Sequence, residues 1–170
     1  MGFAASVQPL KGKLPSVAFK WDPETEILSG QFKGGGGADG PTGTVELEGV
    51  DGSFAVLDVV GGQLRGVEVV VWPETQTVAG LTPPSATERG RLILPARASQ
   101  PGIAAVEVDT RMVADKSPDD SVIHLRVGPQ RRVKLVQLAD HLMLELDDKS
   151  EIAGFWLLAV PPFPHVEEGV

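Results

Sequence analysis

The stretch Val45 to Pro73, VELEGVDGSFAVLDVVGGQLRGVEVVVWP, lies without a gap over Val133 to Pro161, VKLVQLADHLMLELDDKSEIAGFWLLAVP. Val45 meets Val133, Leu47 meets Leu135, Gly66 meets Gly154 and Pro73 meets Pro161. Between these identities apolar falls on apolar: Phe54 on Leu142, Val56 on Leu144, Leu64 on Ile152, Val67 on Phe155, Val69 on Leu157. Upstream, residues 23–28 lie over 118–123 once a glycine-rich insertion near 33–43 is allowed. A pattern written twice asks for one local structure used twice. It constrains the architecture and leaves the chemistry open.

The local structure is β. The chain carries 20 Gly, 14 Pro and no Tyr, and its apolar runs are rich in Val. Such runs broken by Gly and Pro favour strands and turns, because β-branched side chains pack well on a pleated surface. Strands are expected near 17–21, 27–32, 44–50, 53–60 and 63–72, then 91–94 and 104–113, and again near 121–127, 131–138, 141–147 and 151–160. Asp22-Pro23-Glu24-Thr25 reads as a turn with Pro pre-setting φ, and Gly61-Gly62 as a hairpin tip. Lys33 to Gly43, with four consecutive glycines, reads as a loop. One stretch competes: Leu135, Leu138, Leu142 and Leu146 stand near helical spacing between good helix formers. The counterpart of that stretch in the first copy holds four glycines and several valines and is a poor helix. Strands are therefore expected in both copies.

The expected fold is all-β: two pseudo-repeated antiparallel β-units forming a sandwich or a rolled barrel-like sheet. The chain divides into an irregular N-terminal arm (1–15), a first β-repeat (16–73), a connector with one strand (74–103), a second β-repeat (104–161) and a Pro-rich tail (162–170), in one compact domain. Val67 to Trp72 and Phe155 to Val160 are apolar on both faces apart from Glu68. Strands of that kind should be covered on both sides, against each other about a pseudo-twofold axis or in a subunit interface. The candidate interface residues are Val69, Val71, Trp72, Phe155, Trp156 and Leu157.

Composition narrows the function classes. The formal net charge of −8 repels phosphate backbones, so no nucleic-acid partner is expected unless a local basic patch overrides the mean field. The dense basic cluster is Arg131-Arg132 with Lys134, preceded by Arg126, and a solvated turn accounts for it best. The absence of cysteine removes disulfides, thiolate metal sites and cysteine nucleophiles. The first residues lack the apolar core of a signal peptide, and no run is long enough for a membrane helix. Gly2 with Ser6 formally satisfies a myristoylation pattern, which is outweighed. A soluble cytoplasmic protein with no membrane partner is expected.

Asp22-Pro23-Glu24, Val45-Glu46-Leu47 and Gly66-Val67-Glu68-Val69 in the first copy, with Leu144-Glu145-Leu146-Asp147-Asp148 and Gly154-Phe155-Trp156-Leu157 in the second, resemble a family of small prokaryotic proteins. That family is named domain of unknown function twenty-two eighty-three. The resemblance covers about two-thirds of the chain. It implies a compact β-domain without an assigned activity and supplies no catalytic residue. Some members occur beside putative toxins, which implies an antitoxin-like binding role.

Candidate chemistry is sparse. His124, His141 and His165 show no metal-ligand spacing, so no cofactor or metal is expected. Asp119-Asp120 and Asp147-Asp148 with Glu151 suit turn chemistry better than a calcium loop. Ser53, Ser121 and Ser150 lack a nucleophile-elbow context, and Gly34 to Gly37 lack the Gly-Lys-Ser/Thr ending of a phosphate loop. Glu68 stands alone in an apolar strand and must be paired or face solvent; Arg65 sits on the opposite face. The leading reading is a non-catalytic binding or structural module acting through protein–protein contacts, including homo-oligomerisation. One alternative is a small-molecule or carbohydrate-binding enzyme with an acidic pocket between the repeats, formed by Glu68, Asp140 and Glu145. The other is the antitoxin-like partner.

Overall fold

The computed structural model describes residues 5–33, 42–86, 88–93 and 111–163. Among these residues there is no helix. Thirteen strands join in one curled, mixed sheet shaped as a half-barrel. They are β1 (Ser6–Pro9), β2 (Ser16–Trp21), β3 (Leu28–Lys33), β4 (Gly43–Glu48), β5 (Phe54–Val60), β6 (Gln63–Val71), β7 (Glu74–Thr77), β8 (Glu88–Ile93), β9 (Met112–Lys116), β10 (Ile123–Val127), β11 (Val133–Ala139), β12 (Leu142–Asp147) and β13 (Ile152–Leu157). The all-β class is as expected. No helix of the described residues is long and apolar enough to cross a membrane.

Within the first half the pairing order is β2-β3-β6-β5-β4, all antiparallel. Within the second it is β9-β10-β13-β12-β11, again all antiparallel. β8 bridges the halves. It touches β6 through one residue pair, Gln63 with Ile93, and runs parallel to β11 through Val136 with Glu88 and Gln137 with Arg89. β1 pairs antiparallel with β8, and β7 runs parallel to β9.

Local sequence explains the elements. In β5 Ala55, Leu57 and Val59 are buried while Phe54, Val56 and Asp58 are half-buried, the period of two expected of a strand with one core face. β10 does the same with Ile123, Leu125 and Val127 inward and His124 and Arg126 outward. Gly61 and Gly62 take φ of 60° and 79°, the conformation a two-residue hairpin tip needs, and join Val60 to Gln63. The leucine-rich stretch is β11 and β12, turning at Asp140-His141; pairing with neighbours on both sides outweighs its helix propensity.

Three expectations on boundaries change. The arm is not wholly irregular, because Ser6–Pro9 adds β1 to β8. Among its described residues the connector holds two strands, β7 and β8, rather than one. β9 starts at Met112, and residues 104–110 of the strand expected there lie outside the described residues, as do most of the 33–43 loop, His165 and the end of the Pro-rich tail.

One core cluster draws on both halves, including Val45, Leu57 and Val67 from the first and Leu125, Leu144 and Phe155 from the second. A smaller cluster forms on the opposite face of β12 and β13. There Leu135, Met143 and Trp156 are covered by Leu81 and Ala86 of the connector with Val122 and Leu158. All six residues of β13 are thereby buried. β6 is not matched in this: Val71 is 48% exposed at its end.

Candidate functional site

β6 and β8 share one residue pair, so the sheet parts between them. A cavity of about 750 Å³ opens at that parting, reached from the segment after β1, the end of β3, the start of β6 and the turn after β11. Five cations line it: Lys13, Lys33, Arg65, Arg89 and Arg91, against one carboxylate, Asp140. The floor is apolar, with Phe32, Leu64, Leu92 and Leu138. One third of the 15 lysines and arginines of a chain charged −8 meet at one place. The mean field of the molecule is negative and the local field here is positive.

Each cation is set by its element. Arg89 and Arg91, two apart on β8, emerge on one face of the strand. Arg89 donates to the Gly12 carbonyl at 2.6 Å, and its own carbonyl accepts from the Leu10 N–H, so β8 fixes the segment that carries Lys13. Arg65 lies over the Phe32 ring, 5.5 Å from its centroid. Lys13, Lys33 and Arg91 have no ion-pair partner among the described residues. Asp140 accepts the Val17 N–H at 2.9 Å and so joins the turn after β11 to β2. Gln63, 5% exposed, lines the cavity too.

The three carboxylates expected to form an acidic pocket do not assemble. Asp140 alone lines this cavity, and its neighbours there are cations. Glu68, on β6, has Val56 and Ser29 beside it, and burial followed by the charge of Asp58 raises its pKa. The charge acting on it is therefore a like one, and of the two alternatives, pairing or facing solvent, its half-buried side chain takes the second. Glu145, on β12, is 6% exposed and bonds to His124 Nε2 at 2.7 Å. Trp156 Nε1 donates to its other oxygen at 3.4 Å, and the His124 and Trp156 rings stack with centroids 4.1 Å apart.

The reach of Glu145 depends on Gly154, which stands opposite it on β13 between β12 and β10. A side chain there would block the path, since a Cβ would sit 2.5 Å from Glu145 Oε1 and 2.7 Å from the Leu125 carbonyl. Asp58 stands opposite Gly66 in the same way and accepts from Gln31 Nε2 at 3.1 Å across it. Sequence reading missed both bridges, because the residues joined are 21 and 27 positions apart. The glycine shared at Gly66 and Gly154 was the available signal.

The interface candidates separate. Val69, Phe155 and Leu157 are in the chain's own core, and Trp156 is buried under the connector. They are thus unavailable to a second molecule; Val71 is exposed and Trp72 half-buried. The basic cluster at Arg131 is structural: Arg131 holds Asp147 at 2.7 Å and donates to the carbonyls of Val127, Pro129 and Ile152. Burial of Asp147 works against its charge, but Arg131 and the N–H groups of Glu151 and Lys149 prevail and lower its pKa. Asp119 is lowered to about 2 by the hydroxyls of Ser117 and Ser121 and the N–H of Ser121. Both acids serve turns. His141 stands beside Asp140 at 3.7 Å.

Compared with known proteins, the chain matches no family model, and no curated protein is similar to it.

Proposed function

We propose that this chain is a non-catalytic β-rich binding module whose ligand is a small organic anion with an apolar body, held in the cavity between β6 and β8. The observation that carries the reading is the meeting of five cations over an apolar floor in a molecule of net charge −8. A volume near 750 Å³ suits a small ligand, since such sites commonly span about 300–1,000 Å³. Leucine and phenylalanine would take the apolar body, Arg91 and the two lysines the carboxylate or phosphate, and Gln63 a neutral oxygen. The reading replaces the acidic pocket between the halves by a cationic one. The resemblance to domain of unknown function twenty-two eighty-three is part of the proposal, as is duplication of one β-unit. The shared pairing order and the paired bridges over Gly66 and Gly154 support the duplication.

Calorimetric titration of the whole chain with decanoate and with decylamine tests the function. Decanoate should bind saturably, decylamine should not, and Arg91→Glu should weaken decanoate by about ten-fold or more, roughly 1.4 kcal/mol. Affinity should fall as salt is raised. Equal binding of the amine, or an Arg91→Glu chain that binds decanoate as the parent does, would overturn it.

A further inference from the structure

A second cavity, of about 240 Å³, lies where β2 and β6 meet the ends of the second half, and it shares no residue with the cationic one. Three aromatic rings stand at it. Trp21 and Trp72 stack with centroids 5.5 Å apart and planes 28° from parallel, and Phe163 meets Trp21 edge-on at 5.2 Å. Glu26 and Asp120 supply carboxylates.

Both indole N–H groups and the Thr75 hydroxyl of this cleft are already engaged, and Lys116 gives one of its three N–H groups to Asp120. Trp21 Nε1 donates to the Pro161 carbonyl at 2.8 Å, and Trp72 Nε1 to the Glu26 carbonyl at 2.9 Å. Thr75 Oγ1 donates to the Pro73 carbonyl at 2.8 Å, and Lys116 Nζ is 3.0 Å from Asp120 Oδ1. What the aromatic and acidic side chains still offer is π-electron density and the Glu26 carboxylate, while Lys116 offsets the charge of Asp120. A sugar needs donors as well as acceptors around its hydroxyls, and only Lys116 has donors left to give. A cation needs neither an N–H nor an O–H from its host.

The backbone is strained at the same spot. Glu26 has φ of 63° and Asp120 φ of 64°, two of the four non-glycine residues with positive φ among those described. Aspartate tolerates that conformation; a glutamate there is held against a cost of about 1 kcal/mol or more. Glu26 is held by its N–H on the Asp22 carbonyl and by the Trp72 indole on its own carbonyl. The strained turn thus fixes Glu26 at the N–H edge of the Trp72 indole, at the rim of the same cavity.

We propose that this cleft binds a small organic ammonium, its alkylated nitrogen against the Trp72 and Trp21 rings and its charge balanced by Glu26. Choline is the probe, with 3,3-dimethylbutanol as its uncharged isostere and methyl glucoside as the sugar control, each titrated into the whole chain and followed by tryptophan fluorescence and calorimetry. Choline should bind saturably, and about five-fold or more tighter than the isostere. Glu26→Gln, an exposed change that leaves the rings in place, should weaken choline several-fold and leave the isostere unchanged. Trp72→Phe should weaken it further, and Arg91→Glu in the other cavity should not affect it. Equal binding of choline and isostere, preference for the glucoside, or no binding of choline at tens of millimolar would each overturn the proposal. None of these outcomes bears on the anion cavity.

Discussion

Gly154 and Gly66 show how far a single missing side chain reaches. Each lets a carboxylate cross a whole strand, from Glu145 to His124 in one case and from Asp58 to Gln31 in the other. A Cβ at Gly154 would meet backbone, the Leu125 carbonyl at 2.7 Å, whereas at Gly66 it would meet the movable ends of Asp58 and Gln31 at 2.8 Å. Gly154→Ala should therefore destabilise by about 1–3 kcal/mol and Gly66→Ala by clearly less, read as urea midpoints of the two variants. Glu68 gives a pH prediction. Its folded-state pKa is raised, by burial and then by Asp58, so between the unfolded and folded values the native state holds more protons. Stability from this group is thus present at low pH and lost as pH rises through the raised value. Glu68→Gln should stabilise the chain at neutral pH, and the gain should shrink to nothing as pH falls below the ordinary carboxylate range. Parallel urea curves for parent and variant at pH 7 and pH 4 check it; a gain that grows on acidification would refute it. The lone charge of Glu68 was visible in the sequence, but its like-charged neighbour was not, because Asp58 reaches it only through the pairing of β5 with β6.

At the scale of elements, β13 and β6 end two similar meanders and differ in what covers them. β13 has the main core on one face and Leu81 and Ala86 of the connector on the other. β6 has core on one face and an outer face that ends on exposed Val71. Leu81→Ser should remove cover from Leu135, Met143 and Trp156, lowering stability by about 1–2 kcal/mol and moving tryptophan emission to the red. Val71→Ser, on the uncovered face, should change stability by less than about 0.5 kcal/mol. If the two variants cost the same, the connector contributes no cover. The doubly apolar β13 was legible as a strand needing two-sided cover, whereas the same expectation for β6 fails at its outer face. That a run of Pro, Thr and Gly with isolated Leu81 and Ala86 would supply the cover of β13 was not legible, since two apolar residues in a polar segment carry no period.

For the whole molecule, the halves meet at β8, and the sparse contact of β8 with β6 creates the cationic cavity. The basic residues legible in sequence, at Arg131-Arg132, were the ones adjacent along the chain, and Arg131 is consumed by Asp147 and three carbonyls. Lys13, Lys33, Arg65, Arg89 and Arg91 span four separate segments, so no local window contains them; Arg89 and Arg91, two apart on one strand face, were the only hint. By itself the sequence determined the class of structure, most strand positions and the hairpin tips, because alternation, valine content and glycine placement act over neighbouring residues. The tertiary structure decided which faces are covered, which carboxylates find partners and where positive charge collects. Those depend on which strands become neighbours across the sheet, and that pairing is settled by global burial rather than by any stretch of chain.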